Sequence, residues 1–331
     1  MHVNATESSR SGENTLAGRH ILSAEDFSSA EISLVLNTAR VLEQDANGRR
    51  DFRRLLQGKT LTTAFFEPST RTRLSFEAAM LRLGGQVSSI QYGRSSSSEK
   101  GESLQDMGRI LSGYADIVAM RHPENGSVAA FASTASVPVI NAGDGANQHP
   151  TQALLDLYTI FLEKRTVDGL TIGFIGDLKY SRTVHSLISL LQHYQVALHF
   201  ISHPLLALPD SIKGSLANGR RSLQESCELE KSLRDLDVLY VTRVQKERFA
   251  DPLEYEQVNR NYQLNRDTLQ HSKPDLILLH PLPRLQEIHS EIDSDPRAKY
   301  FRQAQNGVCV RMALLALLLG QLPPQRAWST E

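Results

Sequence analysis

Cysteine is almost absent from this chain: Cys227 and Cys309 are the only two in 331 residues. They form neither a disulfide framework nor a CxxC metal pair, which points to a reducing compartment and a cytoplasmic protein. Long apolar runs are missing as well. The longest, Met312 to Leu319, falls far short of the about 20 residues that a bilayer-spanning helix needs, and it predicts a buried helix instead. Neither charge dominates, with 36 Lys and Arg against 37 Asp and Glu, so composition calls for neither nucleic acid nor a membrane as partner. No GxxxxGK(S/T) occurs, which excludes the common nucleotide P-loop, and no fixed-period repeat suggests a solenoid. The first 18 residues are polar and Ser-rich, with neither the apolar core of a secretion signal nor the Arg-rich pattern of a transit peptide. They predict a disordered tail.

What remains is an ordinary soluble composition, 40% hydrophobic and 22% charged, in a chain long enough for two domains with cores of their own. From about residue 20, short β-branched runs alternate with helical periodicity. That is the pattern of parallel sheets with helices on both faces, so the fold class expected is doubly wound α/β in two domains. Ser28 and Glu31 make a capping box, and Ile32, Val35, Leu36, Ala39 and Leu42 recur on one face of an opening helix. Strands are predicted at Thr60 to Phe66, Gln86 to Ile90, Ile117 to Met120 and Val137 to Asn141. An amphipathic helix from Thr151 to Lys164 leads into a second series at Thr171 to Ile175, Leu198 to Ser202, Val238 to Thr242 and Leu276 to His280. The final apolar helix could pack on either half.

The segment TTAFFEPSTRTRLSFEAAMLRLGG ends a strand at Phe66, turns through Glu67 and Pro68, and begins a helix near Thr70. Such a junction is an anion site in waiting. Free backbone N–H groups and the positive end of the helix dipole converge there, and Ser69, Thr70 and Thr72 add hydroxyls beside the Arg71 guanidinium. A phosphate dianion suits that donor set; the same residues would also serve simply to cap a helix. GFIGD before Arg182 is a weak dinucleotide-type turn without the full GxGxxG, and no NAD site is expected.

FFEPSTRTRLSFE resembles the carbamoyl phosphate signature of the aspartate and ornithine carbamoyltransferases. SSSSEKGESL, VAMRHPENG, NAGDGANQHPTQALLDLYTI, GDLKYSRTVHSL, VTRVQKERF, LLHPLPR and FRQAQNGVCVRMALLALLLG resemble further segments of that family, in the same order, from about residue 19 to 320. The resemblance implies transfer of the carbamoyl group of carbamoyl phosphate to the amino group of L-aspartate, without a metal or any other cofactor. It implies a homotrimer with active sites shared between chains, and leaves open whether separate regulatory chains associate. It also implies a carbamoyl phosphate-binding domain at 19–150 plus 305–331, which places the final helix back on the first domain, and an aspartate-binding domain at 151–304.

Residue roles follow from the same resemblance. Ser69, Thr70, Arg71 and Thr72 match the phosphate-binding positions, and Arg121 matches an arginine bridging phosphate and carbonyl oxygen. His149 and Gln152 match contacts to the carbamoyl oxygen and amino group. Ser96 and Lys100 match a loop that reaches the neighbouring subunit's site. Arg182, Arg243 and Gln245 match contacts to aspartate, whose two carboxylates suit bidentate arginines. Leu282 and Pro283 match a cis peptide whose carbonyls lie near the reacting amine. Glu99 departs from members that carry a second lysine there. HPLPR and the arginine pattern of TRVQKER side with aspartate rather than ornithine, because the ornithine enzymes carry a cysteine where Pro281 stands.

Overall fold

The computed structural model describes residues 14–46, 51–91, 101–217, 222–244, 251, 255 and 262–323. Two parallel sheets organise it. The first holds β1 (Thr60–Phe65), β2 (Gln86–Gln91), β3 (Ile117–His122) and β4 (Val139–Asp144) in the order β2-β1-β3-β4. The second holds β5 (Thr171–Ile175), β6 (Ala197–Ile201), β7 (Leu223–Ser226), β8 (Val238–Val241) and β9 (Ile277–Leu279) in the order β7-β6-β5-β8-β9. All the pairings are parallel, so the expected doubly wound class is what the chain adopts.

Side chains alternate between two cores, as the period of a strand requires. In the first sheet Leu61, Phe65, Ile117, Ala119 and Ile140 face a central layer, while Ala64, Val118, Met120 and Val139 face an outer one. In the second, Ile172, Phe174, Leu198, Val238 and Tyr240 face the same central layer, and Ile175, Ile201, Leu239 and Val241 face outward. The central layer is filled by α1 (Ser29–Ala46), α2 (Thr70–Arg82), α5 (Pro150–Lys164), α6 (Arg182–Leu191) and the C-terminal helix Tyr300–Leu318, while α3 (Leu104–Ser112) and α4 (Ser127–Ala132) cover the outer face of the first sheet. The C-terminal helix carries the predicted apolar run and packs against α1, α2 and α5. It therefore returns to the first half of the chain.

Local signals explain the element ends. The Glu31 amide donates to Ser28 Oγ at 3.3 Å and the Ser28 amide donates to Glu31 Oε2 at 2.9 Å, the reciprocal box expected at the start of α1. β4 begins two residues later than predicted and runs to Asp144, which pairs with His122 across a register shift. β7 went unpredicted: LQES is an exposed edge strand with no apolar alternation. The disordered tail expected through residue 18 needs correction for residues 14–18. Leu16 is fully buried, the Asn14 amide donates to the Leu317 carbonyl at 2.7 Å, and the Gly18 N–H donates to the Leu318 carbonyl at 2.9 Å. One apolar side chain and the open carbonyls at a helix C-terminus are enough to dock that stretch. No helix among the described residues is long and apolar enough to cross a membrane.

Candidate active site

In open parallel sheets, ligands bind beyond the carboxyl ends of the strands where the strand order reverses. The order reverses between β1 and β3 in the first sheet and between β5 and β8 in the second. A cleft of 370 Å³ lies there, and residues 68–72, 75, 121, 149, 152, 155, 182–183, 280–283, 303–304 and 311 line it.

The phosphate-type junction after β1 is built as the sequence suggests. The first intrahelical bond of α2 runs from the Arg73 N–H to the Ser69 carbonyl at 3.2 Å, which leaves the amides of residues 70–72 outside the helical ladder. Ser69 stands at the N-cap, yet its side chain makes no capping hydrogen bond. The hydroxyl is thus not spent on the helix. His149 likewise occupies the N-cap of α5 without a side-chain cap. Its ring is buried, and Nδ1 has no hydrogen-bond partner among the described residues.

Charge in the cleft is strongly one-sided. Arg121 Nε donates to Glu67 Oε1 at 2.5 Å, and Arg182 Nη2 reaches the same oxygen at 3.2 Å while its Nη1 donates to the Gly145 carbonyl at 2.5 Å. A single carboxylate thus bridges two guanidinium groups. Gly143, at φ +119°, makes room for this arrangement, because a Cβ there would lie 3.0 Å from the Arg182 guanidinium. Burial, with Arg182 nearby, pulls the Arg121 pKa down to about 10; burial alone lowers Arg71, and burial brings Arg311 to about 10. All three stay charged at neutral pH. Burial first, and then Arg182, Arg121 and Arg311, hold the His149 pKa well below the usual histidine range. Its imidazole is neutral at pH 7 and able to donate one hydrogen bond.

Residues 280–283 close the opposite wall. The Leu282 N–H donates to His280 Nδ1 at 2.8 Å, so that nitrogen is an acceptor, and Nε2–H faces Glu287 Oε1 at 2.8 Å. The other Glu287 oxygen accepts from the Leu285 N–H at 3.1 Å. Burial lowers the His280 pKa, with Glu287 opposing, which fits the neutral tautomer that the bonds define. The Leu282–Pro283 peptide is cis, and Leu282 sits at φ +55°.

Ten of the residues singled out in the sequence therefore meet in one cleft: Ser69, Thr70, Arg71, Thr72, Arg121, His149, Gln152, Arg182, Leu282 and Pro283. Arg243 follows β8 and is partly buried, but it does not line the cleft. Ser96, Lys100 and Gln245 lie outside the described residues. Sequence reasoning missed Glu67, His280, Gln303 and Arg311. For the last two a signal existed: Gln303, Gly307 and Arg311 recur every fourth residue on the buried face of the C-terminal helix. Gly307 leaves Arg311 its place there, since a Cβ would stand 2.4 Å from Arg311 Nη1 and the guanidinium would have to shift.

Two family models together cover most of the chain. Residues 19–161 match the carbamoyl-P binding domain of aspartate/ornithine carbamoyltransferase, and residues 168–318 match its Asp/Orn binding domain. The chain belongs to the aspartate/ornithine carbamoyltransferase family. Within it, the aspartate carbamoyltransferase catalytic subunit of Thermococcus kodakarensis is 51% identical over 307 residues, covering 92% of this chain and 98% of its own length. The corresponding subunit of Methanocaldococcus jannaschii is 49% identical over 302 residues, covering 91% and 98%. A structure of the catalytic subunit of M. jannaschii aspartate transcarbamoylase superposes with a TM-score of 0.86 at 48% identity over 91% of this chain and 98% of its own. Trypanosoma cruzi aspartate transcarbamoylase in complex with carbamoyl aspartate and phosphate superposes at 0.87, with 39% identity over 93% and 98%.

Proposed function

We infer that this chain is an aspartate carbamoyltransferase catalytic chain, which converts carbamoyl phosphate and L-aspartate to N-carbamoyl-L-aspartate and phosphate in de novo pyrimidine biosynthesis. The observation that carries this reading is the cleft shared by both sheets. It gathers Arg71, Arg121, Arg182 and Arg311 with a neutral His149, an excess of positive charge matched to a phosphate and two carboxylates. Relatives about half identical over nine-tenths of the chain bear the same activity in their names.

The amides at the start of α2, the hydroxyls of Ser69, Thr70 and Thr72, and the Arg71 guanidinium hold the phosphate. Thr72, Arg121 and His149 aim donors at the carbonyl oxygen, and Gln152 meets the carbamoyl amino group. Arg182 takes an aspartate carboxylate, joined by Arg243 and Gln245 once the halves close on the substrate; Ser96 and Lys100 come from the neighbouring chain. The uncharged α-amine attacks the carbonyl carbon, the oxygen gains negative charge, and the C–O bond to phosphate then breaks as the carbonyl reforms. The amine proton leaves with the phosphate. No covalent enzyme intermediate or metal is involved. Each donor aimed at the developing oxyanion is worth roughly 3 kcal/mol, and holding two reactants in attack geometry supplies on the order of 7 to 11 kcal/mol.

The active assembly is a cytoplasmic homotrimer, with regulatory chains as possible further partners. Exposed Leu74 and Leu81 on α2, together with Ile110 and Tyr114 at and just beyond α3 (Leu104–Ser112), offer apolar surface for such contacts. Steady-state kinetics test the site. Arg71→Ala should depress turnover and weaken carbamoyl phosphate, whereas Arg182→Ala should chiefly raise the KM for aspartate. Equal loss of both substrates in both variants would overturn the division of roles.

A further inference from the structure

Asp156 lies one turn beyond Gln152 on α5 and is fully buried. Three side chains donate to it. Gln152 Nε2 and Gln303 Nε2 both reach Oδ1, at 2.7 and 2.6 Å, and the Tyr240 hydroxyl reaches Oδ2 at 2.8 Å. Tyr240 comes from β8 and Gln303 from the C-terminal helix, so the carboxylate ties together three parts of the central layer.

The direction of both glutamine bonds in this network is set by one backbone group. The His280 N–H can only donate, and it lies 2.8 Å from Gln303 Oε1. The Gln303 NH2 must therefore face Asp156 Oδ1. An NH2 cannot accept, so Oδ1 is bare, and any proton on the carboxyl sits on Oδ2 against Tyr240. The Gln152 group that meets Oδ1 must then also be its NH2. What remains for the cleft is the Gln152 carbonyl oxygen, to which no described residue donates.

We propose that Asp156 is a positioning residue that locks the Gln152 amide with its oxygen toward the cleft, so that the site selects a carbamoyl –NH2 over an acetyl –CH3. The inference rests on the carbamoyl phosphate reading above. Carbamoyl and acetyl phosphate share their phosphate arm, their carbonyl and nearly their shape; only the first presents N–H donors to a fixed acceptor. A buried acceptor left facing a methyl loses its hydrogen bond outright. Without Asp156, Gln152 is free to turn its own NH2 toward the cleft, and the distinction fades.

The test compares dissociation constants for carbamoyl phosphate and acetyl phosphate on the assembled protein. Asp156→Leu combined with Tyr240→Phe removes the acceptor and its third donor without orphaning a hydroxyl, and Asp156→Ala replaces it should the pair fail to assemble. The preference for carbamoyl phosphate should fall by about tenfold, mostly through weaker carbamoyl phosphate binding. Asp156→Asn should keep the preference, because the Asn oxygen can stay on the two glutamines while its NH2 turns to Tyr240. Equal weakening of both ligands in the leucine or alanine variant would overturn the proposal, as would an asparagine variant as unselective as they are. A wild type that binds neither ligand would instead refute the carbamoyl phosphate reading on which the proposal stands.

Discussion

Burying a carboxyl with only neutral donors around it should leave a mark on stability as a function of pH. Burial pushes the Asp156 pKa up from 3.8 to about 7, against the pull of Gln303, Tyr240, Gln152 and Arg311. The folded chain thus holds a proton that the unfolded chain has released. Well below pH 4 both states are protonated and the site costs nothing; as pH rises toward 7 stability is lost, and well above 7 the loss is constant. The full span corresponds to about 4 kcal/mol, and the part between pH 5 and pH 8 to about 3 kcal/mol. Asp156→Asn cannot titrate and should escape that slope. Its partners do not confound the comparison, since Tyr240 is raised well above its usual pKa and Arg311 stays near 10. Urea unfolding at one fixed protein concentration measures it. Relative to wild type, the variant should gain about 3 kcal/mol on moving from pH 5 to pH 8. An unchanged difference would show that Asp156 is ionised throughout and that the cost assigned to its burial is wrong.

Other consequences are more local. Gly307→Ala puts a methyl into Arg311, which must shift; a loss of about 1 to 3 kcal/mol by denaturation is expected, with weaker carbamoyl phosphate binding beside it. Glu287→Leu strands the buried His280 Nε2–H and removes the acceptor of the Leu285 N–H, and should cost about 1 to 3 kcal/mol while raising KM values for both substrates. His149→Ala should lower kcat by about 100-fold with little effect on stability. Because burial and three arginines keep that histidine neutral, the wild-type pH–rate profile should show no step near 6.5 from its titration. A step abolished by the substitution would count against the neutral donor.

Much of the architecture was legible because two periods are written plainly into the chain. Strands such as Ile117 to Met120 alternate between cores that both need apolar side chains, and the box at Ser28 and Glu31 marks a helix start by residue type alone. β7 was illegible for the opposite reason: an exposed edge has no burial to enforce a pattern. The cleft was readable where function is carried by a contiguous motif, as at Ser69 to Thr72. It was not readable where the partner is distant in sequence. Nothing in the sequence says that the backbone of His280 orders a glutamine on the last helix, or that Glu67 bridges Arg121 and Arg182. Those links exist only once the two sheets stand on either side of a shared helical layer.

The most direct test of the account is product formation from carbamoyl phosphate with L-aspartate and L-ornithine offered in parallel, using Arg71→Ala as control. Carbamoylation of aspartate alone, abolished in the control, is the predicted result. Turnover of ornithine in place of aspartate would keep the fold and phosphate site but contradict the roles given to Arg182, Arg243 and the 280–283 wall, and no turnover of either amine by the assembled protein would contradict the activity itself.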